Sequence, residues 1–528
     1  MITVGRTGIT FLLAVAALAV LRSRRRVEVD DTSRRRRHDR TLGLLAIVSL
    51  AVYLGAGLLP LTDKLNQHEW VHYYLGSKYS SELSYDRLYV CIDAADVQDG
   101  LGTAVATRTI TDLQTNHLVE AASSIGHPEQ CTQHFSPSRW SAFRHDVRYF
   151  RMRTPTAEWE ATLTDHGYNA TPVWTATATL LTNISAANGT QVRLLSLFDP
   201  LLLLAMLLVI GWAFGWGTLA IAVLTLTTFA PASSLWTAGA FLRWDWLFLT
   251  VAAVCCLKKE RPLLAGMALG YATILRVFPG VLFCGPLFVI AWGVLRRRAL
   301  DRTYARLLAG GALLAGLALP ASIVVLGGTG PFHDFAANLA KTATTPFANG
   351  VGLRTVLAWR SHQGVGSLYQ AHAADPLAVW RAARHSAAST TVLPRIVIAA
   401  AFVALLARAG RRVEPWVLTA LGVALLPVVV DLMSYYYMII VVLALVAHER
   451  EAVGRRLLAL CVFSQFVILA PLPGMPAWDD QQFVLISLAT VVTFGLILWQ
   501  HRGKSESVAG DLAVVAAGSD REPVLRLA

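Results

Sequence analysis

Charge is scarce in this chain. Only 15% of its 528 residues are charged, against 55% hydrophobic, and the mean hydropathy is +0.50. A soluble core has no use for so many long apolar blocks, so the composition excludes an ordinary soluble domain. Cysteine is also sparse, six residues in all. Cys255, Cys256, Cys284 and Cys461 lie in apolar blocks, where a thiol behaves as a small hydrophobe. No CxxC or HxxxH pair is read alongside Cys91 and Cys131, and no metal is assigned; a disulfide between them is one open reading. No small-residue cleavage site is evident after the first apolar stretch, and its basic run lies after the apolar core, so a retained helix is expected there in place of a signal peptide. Convincing internal halves, the usual mark of a transporter, are absent as well.

Thirteen apolar blocks are present, near 7–21, 42–60, 197–213, 216–232, 244–257, 262–277, 279–295, 305–326, 391–407, 415–431, 435–447, 456–472 and 482–499. A membrane-spanning helix needs about 20 mostly apolar residues, and shorter blocks span when neighbours bury their ends. The expected fold is therefore an all-α polytopic membrane protein with about thirteen transmembrane helices.

Basic residues set the expected orientation. Nine arginines, Arg22, Arg24, Arg25, Arg26, Arg34, Arg35, Arg36, Arg37 and Arg40, fall between the first two blocks, which places that loop in the cytoplasm and the N-terminus outside. The later inner turns then hold Lys258, Lys259, Arg261, Arg296, Arg297, Arg298, Arg302, Arg306, Arg408, Arg411, Arg412, Arg450, Arg455 and Arg456, while the short outer turns hold only Arg243 and Arg276. The net charge of +12 is thus a topogenic signal with affinity for anionic lipid, and nucleic acid is not an expected partner.

The map divides the chain into two N-terminal helices with a basic cytoplasmic loop (1–60), an extracytoplasmic helical domain (61–195), transmembrane helices (196–326), an extracytoplasmic loop (327–390), further transmembrane helices (391–500) and a disordered cytoplasmic tail (501–528). Within 61–195, TDLQTNHLVEAASSIG reads at helical period and is followed by RHDVRYFR and DHGYNATPVWTATATLL. The 327–390 segment, rich in Gly, Pro and Asn, reads as loops over the membrane mouth.

The stretch that points to chemistry is HEWVHYYLGSKYSSELSYDRLY, His68 to Tyr89. It sets the carboxylate of Glu69 beside His68 and His72 where the chain leaves the bilayer, followed by Tyr73, Tyr74, Lys78 and Tyr79 on a helical face. Arg243 and Asp245 in FLRWDWLFL, and Arg276 in ATILRVFPG, are ionisable groups near hydrocarbon, the usual mark of a pathway, an ion pair or a ligand site. An Arg243–Asp245 pair that only locks helices together is the competing reading. His333, Asp334, Lys341, Asn349 and Arg354 form a polar set in the second outer segment. Asp431, Ser434, Tyr435, Tyr436 and Tyr437 open the eleventh block, and three successive tyrosines cannot all face lipid.

The order of these features resembles the C-type superfamily of membrane glycosyltransferases, nearest to the polyprenol-phosphate-mannose-dependent mannosyltransferases of glycosyltransferase family 87. Glu69, Tyr73 and Leu88-Tyr89 follow the family's acidic residue, tyrosine and Leu-Tyr order, with Asp63 the more distant alternative; LRVFP, NGVGLR and SYYYM are similar to its later elements. The family usually has Asp where Glu69 stands, and a much shorter first outer loop.

The resemblance implies a cell-membrane hexosyltransferase that moves a mannose-like sugar from a polyprenyl-phosphate donor to an extracytoplasmic glycolipid, glycan or protein acceptor, with inversion. Glu69 would act as general base, with His68, His72, Tyr73, Lys78, Arg243, Asp245, Arg276, Asn349, Arg354 and Tyr436 binding substrate. No cofactor beyond the polyprenyl-phosphate sugar is expected. The rival expectations are a lipid or polysaccharide transporter or flippase and a non-catalytic membrane assembly protein.

Overall fold

The computed structural model describes residues 2–26, 31–55, 65–122, 128–297, 300–410, 412–470 and 480–501. Asp63, Arg298, Arg411 and the tail expected after residue 501 lie outside the described residues. Among those described, strands occur only as two short antiparallel pairs, Thr109–Asp112 with His117–Glu120 and Gly350–Val351 with Leu432–Met433. The rest of the regular structure is helical.

Seven helices are long and apolar enough to cross a membrane: Gly5–Arg24, Gly189–Phe214, Phe278–Arg296, Arg302–Val325, Val392–Ala409, Glu451–Leu469 and Asp480–Gln500. Shorter apolar helices cover Trp216–Thr228, Pro262–Leu275, Pro415–Val429 and Ser434–His448. The protein therefore has the architecture of a helical membrane protein; among the described residues seven helices reach spanning length by themselves, which does not establish the thirteen spans expected. Local chemistry divides the apolar sequence. Gly215, at φ 77°, ends one helix and lets Trp216 begin the next with no intervening loop, and Pro262 and Pro415 occupy first turns, where a missing N–H costs nothing.

Apolar side chains also mark the outer faces. Leu201, Leu204 and Leu208 recur at helical spacing, as do Leu393, Ile396 and Val397, and all six are more than half exposed. In water such faces would drive aggregation; against acyl chains they are solvated.

The helix carrying Arg276 is fixed by an absence of side chains. Gly266 and Gly270 on Pro262–Leu275 face Gly310 and Gly311 on Arg302–Val325. A β-carbon at Gly270 would stand 2.6 Å from the Gly311 Cα, and one at Gly266 or Gly310 would strike the carbonyl of Leu307 or Leu263. Backbones meet this closely only where small residues recur four apart.

Residues 65–195 form a ring-rich body docked on the bundle. Trp70 is fully buried, stacks on Phe241 at 5.0 Å and donates its indole N–H to the Gly239 carbonyl at 2.7 Å. Lys78 is buried against Asp146 at 2.8 Å, and Arg108 bridges Asp93 at 2.6 Å, Asp96 at 2.9 Å and Glu160 at 2.9 Å. Cys91 and Cys131 are joined in a disulfide with their Cα atoms 5.3 Å apart.

Two expectations need correction here. The segment expected to run helically from Thr111 instead forms a hairpin, because Asp112 accepts from Gln114 N–H and from the Thr115 hydroxyl, and Asn116 takes φ 61°. Side-chain turn chemistry of this kind, between Thr- and Ile-containing strands, outweighs helical periodicity. The 327–390 segment is not simply loops: it includes helices Gly330–Thr344 and Ala378–Ser389, and parts of both line the cavity described below.

Two stability tests follow from this packing. Gly266→Leu should abolish the monodisperse detergent-solubilised protein or sharply lower its thermal midpoint, whereas Gly316→Ala, with nothing within 4 Å of the added carbon, should be neutral or stabilise by about 0.5–1 kcal/mol. Burial pushes Asp99 up, but hydrogen bonds from Arg148, Arg144 and Arg151 outweigh it and hold the carboxyl well below its ordinary value. That contribution is present above roughly pH 4 and is lost as pH falls through the unfolded-state value toward the folded one. In thermal melts, the stability gap between wild type and Asp99→Asn should be widest near neutrality and narrow on acidification.

Candidate functional site

Asn66 starts the site. Its side chain accepts from the Glu69 N–H at 3.3 Å, capping a helix at Gln67–Trp70 that widens into a π turn over Val71–Leu75. Gly76 follows, at a point where a β-carbon would lie 2.5 Å from the Tyr168 ring. This tight seat directs Glu69 and Tyr73 inward. The Glu69 carboxylate lies 2.5 Å from Arg243 Nε, and the Arg243 guanidinium sits 3.9 Å over the Tyr73 ring. Arg243 therefore pairs with Glu69 across the domain boundary, and the pairing with Asp245 considered from sequence is not the one formed.

A second carboxylate holds Arg243 in place. Asp199, buried, accepts from the backbone N–H groups of Arg243 at 2.9 Å and Trp244 at 3.2 Å. It thereby fixes a connection in which Leu242, not a glycine, takes φ 51°, a conformation held only when its surroundings determine it. Trp174 adds to this by donating to the Leu242 carbonyl at 2.8 Å. Asp245 heads the following helix and accepts from the Trp246 N–H at 2.7 Å.

Arg276 approaches the same tyrosine from the end of Pro262–Leu275. Its guanidinium lies 5.6 Å from the Tyr73 ring and 5.7 Å from Trp174. The residue is 5% exposed, and its Nε and Nη2 have no hydrogen-bond partner. It faces a cavity of about 510 Å³ with mainly apolar walls, including Phe278, Phe335, Leu339, Phe347 and Met433, together with the polar groups Asn169, Arg354 and Tyr436. Tyr73 donates to Asn169 Oδ1 at 2.7 Å, so it links the Glu69–Arg243 pair to the cavity wall. Tyr436 packs on Phe278 at 5.0 Å and Trp246 at 6.0 Å.

The sequence-predicted residues divide into groups. Arg276, Arg354 and Tyr436 line the cavity; Glu69, Tyr73 and Arg243 stand one layer behind it. Arg354 is held by Asp431 at 3.0 Å and by the Ala343 carbonyl at 2.8 Å. Asn349 contributes through its backbone carbonyl, which accepts from the Ser434 N–H at 3.0 Å. Lys78 lies apart, engaged with Asp146 and donating to the Ser185 carbonyl at 2.6 Å.

His68 and His72 face another partner. The rings meet edge to face at 4.6 Å, His68 Nε2 lies 2.9 Å from Asp165 Oδ2, and His72 Nε2 lies 2.7 Å from the Tyr89 hydroxyl. Burial, with the neighbouring His68, pushes His72 down to about 3, so this imidazole is neutral. Burial also opposes charge on His68, but the hydrogen bond and charge of Asp165 outweigh it and raise that ring above its ordinary value.

Several residues of the site were missed from sequence. Asp199 carries no local signal in FDPLLLL, and nothing local in DHGYNATPVWTATATLL assigns Asn169 to the site. At the far end of the cavity Asp480 pairs with Arg384 and accepts from the Trp380 indole N–H at 3.0 Å, a contact between segments about a hundred positions apart. The spacing of His68 and His72 is legible in the sequence, since the chain reads H-E-x-x-H there.

No family model, curated protein or solved structure matches the chain.

The anchoring role of Asp199 has a direct test. Asp199→Ala leaves two buried N–H groups without an acceptor, each worth about 1–3 kcal/mol, and should lower the thermal midpoint of the purified protein markedly. Asp199→Asn keeps an acceptor oxygen and should recover most of the loss.

Proposed function

We propose that this protein is an integral-membrane glycosyltransferase that moves a mannose-like hexose from a polyprenyl-phosphate donor to an extracytoplasmic acceptor, with inversion. The observation that carries the reading is the cavity of about 510 Å³, whose apolar walls suit a lipid and whose buried Arg276 offers unpartnered guanidinium donors. A guanidinium binds phosphate through paired, charge-assisted hydrogen bonds, and Arg354 lines the same space.

In this reading the donor lipid lies along the cavity with its phosphate at Arg276 and Arg354. The sugar lies toward Asn169 and Tyr73. The acceptor enters from the extracytoplasmic side and brings its hydroxyl to Glu69. Glu69 takes the proton from the acceptor hydroxyl as its oxygen forms the new bond to the anomeric carbon. The bond from that carbon to the donor's phosphate oxygen breaks, and Arg276 stabilises the departing phosphate. Arg243 orients the Glu69 carboxylate. The N-terminus lies outside, the 61–195 segment and the 327–390 segment are extracytoplasmic, and the basic turns face the cytoplasm.

A flippase or transporter would use the same cavity without a base beside it, and an assembly protein would need neither. Membranes containing wild-type protein should transfer radiolabelled hexose from a polyprenyl-phosphate donor to endogenous acceptor. Glu69→Gln, which keeps a carbonyl oxygen facing Arg243, should reduce that rate by about 10² or more in protein that stays monodisperse, with a lower thermal midpoint from the weakened pair. Unchanged transfer by this variant would defeat the proposal, as would donor movement across proteoliposomes with no product formed.

A further inference from the structure

The His68–His72 pair is not used by glycosyl transfer as proposed, and its surroundings have a chemistry of their own. The two residues are four apart at the start of a helix, a spacing that brings side chains to one face. Their rings touch, and Asp165 arrives from a segment almost a hundred positions later, so that one nitrogen from each imidazole and one Asp165 oxygen all lie within 4.8 Å of one another. Zinc bound by His nitrogen and carboxylate oxygen takes bonds of about 2.0–2.2 Å, so closing these three donors on one ion needs side-chain movement alone.

We propose that His68, His72 and Asp165 form a binding site for a divalent transition metal of the zinc type. Two imidazoles and one carboxylate are the borderline donor set that such ions select over magnesium or calcium, which prefer oxygen alone. Two histidines four apart on one helix, with Glu between, is the H-E-x-x-H arrangement by which zinc is held in many sites. The depth of the site also fits. His72 is buried, while His68 and Asp165 remain partly open, so an ion can enter and still keep a position for water or another oxygen ligand. Tyr89, whose hydroxyl meets His72 Nε2 and accepts from the Gly167 N–H at 3.1 Å, would release that nitrogen to the ion and stand ready to hydrogen-bond a metal-bound oxygen.

Glu69 is not assigned as a ligand. Its carboxylate pairs with Arg243 on the other side of the helix start, so the site is a cation-binding site next to the proposed base and does not depend on the glycosyl-transfer reading.

The test measures binding directly. Full-length protein, purified in detergent and stripped with chelator, is dialysed against Zn²⁺ and its bound metal measured by elemental analysis; Co²⁺ replaces Zn²⁺ in a parallel sample for visible absorption. Wild type should hold about one Zn²⁺ per chain, with Co²⁺ giving the intense d–d bands of a low-coordinate site. His68→Ala and Asp165→Asn, at partly exposed positions that spare the packed ring of His72, should bring both signals to background while remaining monodisperse with the Cys91–Cys131 link intact. His117→Ala, which removes an exposed histidine beside Asp375, should keep the metal, and so should Glu69→Gln. Wild type that binds no zinc, or folded His68→Ala and Asp165→Asn that bind it as wild type does, would overturn the site. Because Glu69→Gln separates the two readings, failure of zinc binding and failure of glycosyl transfer are seen independently.

Discussion

A guanidinium withdrawn from water has to be met by something, and in this protein Arg243 is met by a carboxylate and an aromatic ring. Its side chain is 2% exposed; Glu69 supplies opposite charge at 2.5 Å and Tyr73 an aromatic face at 3.9 Å, while Asp199 holds its backbone N–H. Removing one member of a buried ion pair commonly destabilises by roughly 3–5 kcal/mol, because the other charge is stranded. The pair crosses from the ring-rich 65–195 body to the membrane bundle, so the docking of the two depends on its being completed. Trp70, stacked on Phe241 and bonded to Gly239, supplies the apolar part of the same junction.

Around this pair the fold brings together the ends of elements that are distant in sequence. Tyr73 is shared between two guanidiniums, Arg243 in close stacking and Arg276 farther off, and its hydroxyl is tied to Asn169. Arg276 differs from Arg243 in that it lacks an anionic partner within ion-pair distance among the described residues and lines the apolar cavity. One cation is thus spent on architecture and the other left with capacity to bind. This division supports reading the cavity as a place for an anionic lipid.

What could be read in advance followed from local pattern. Long apolar blocks announced helices; His68 to Tyr89 stood out because acid, imidazole and tyrosine crowd one stretch; Cys91 and Cys131 were suggested by their common segment. What escaped were relations made by tertiary structure. The partner of Arg243 was sought two residues away at Asp245 and was found at Glu69, because the helix begun at Asn66 turns that carboxylate toward the bundle. The helical period from Thr111 lost to the hydrogen bonds of Asp112, a competition that periodicity alone does not weigh. Asp165 and Asp480, which no local motif singles out, gain meaning only from what the fold places opposite them.

The glycine contact between Pro262–Leu275 and Arg302–Val325 also limits traffic. Where two backbones touch with no side chains between them, no acyl tail can wedge in, so that seam is shut to lipid. Under the proposed function, a hydrocarbon chain reaching Arg276 would have to arrive by another flank of the cavity, whose lining includes Phe335 and the half-exposed Leu339.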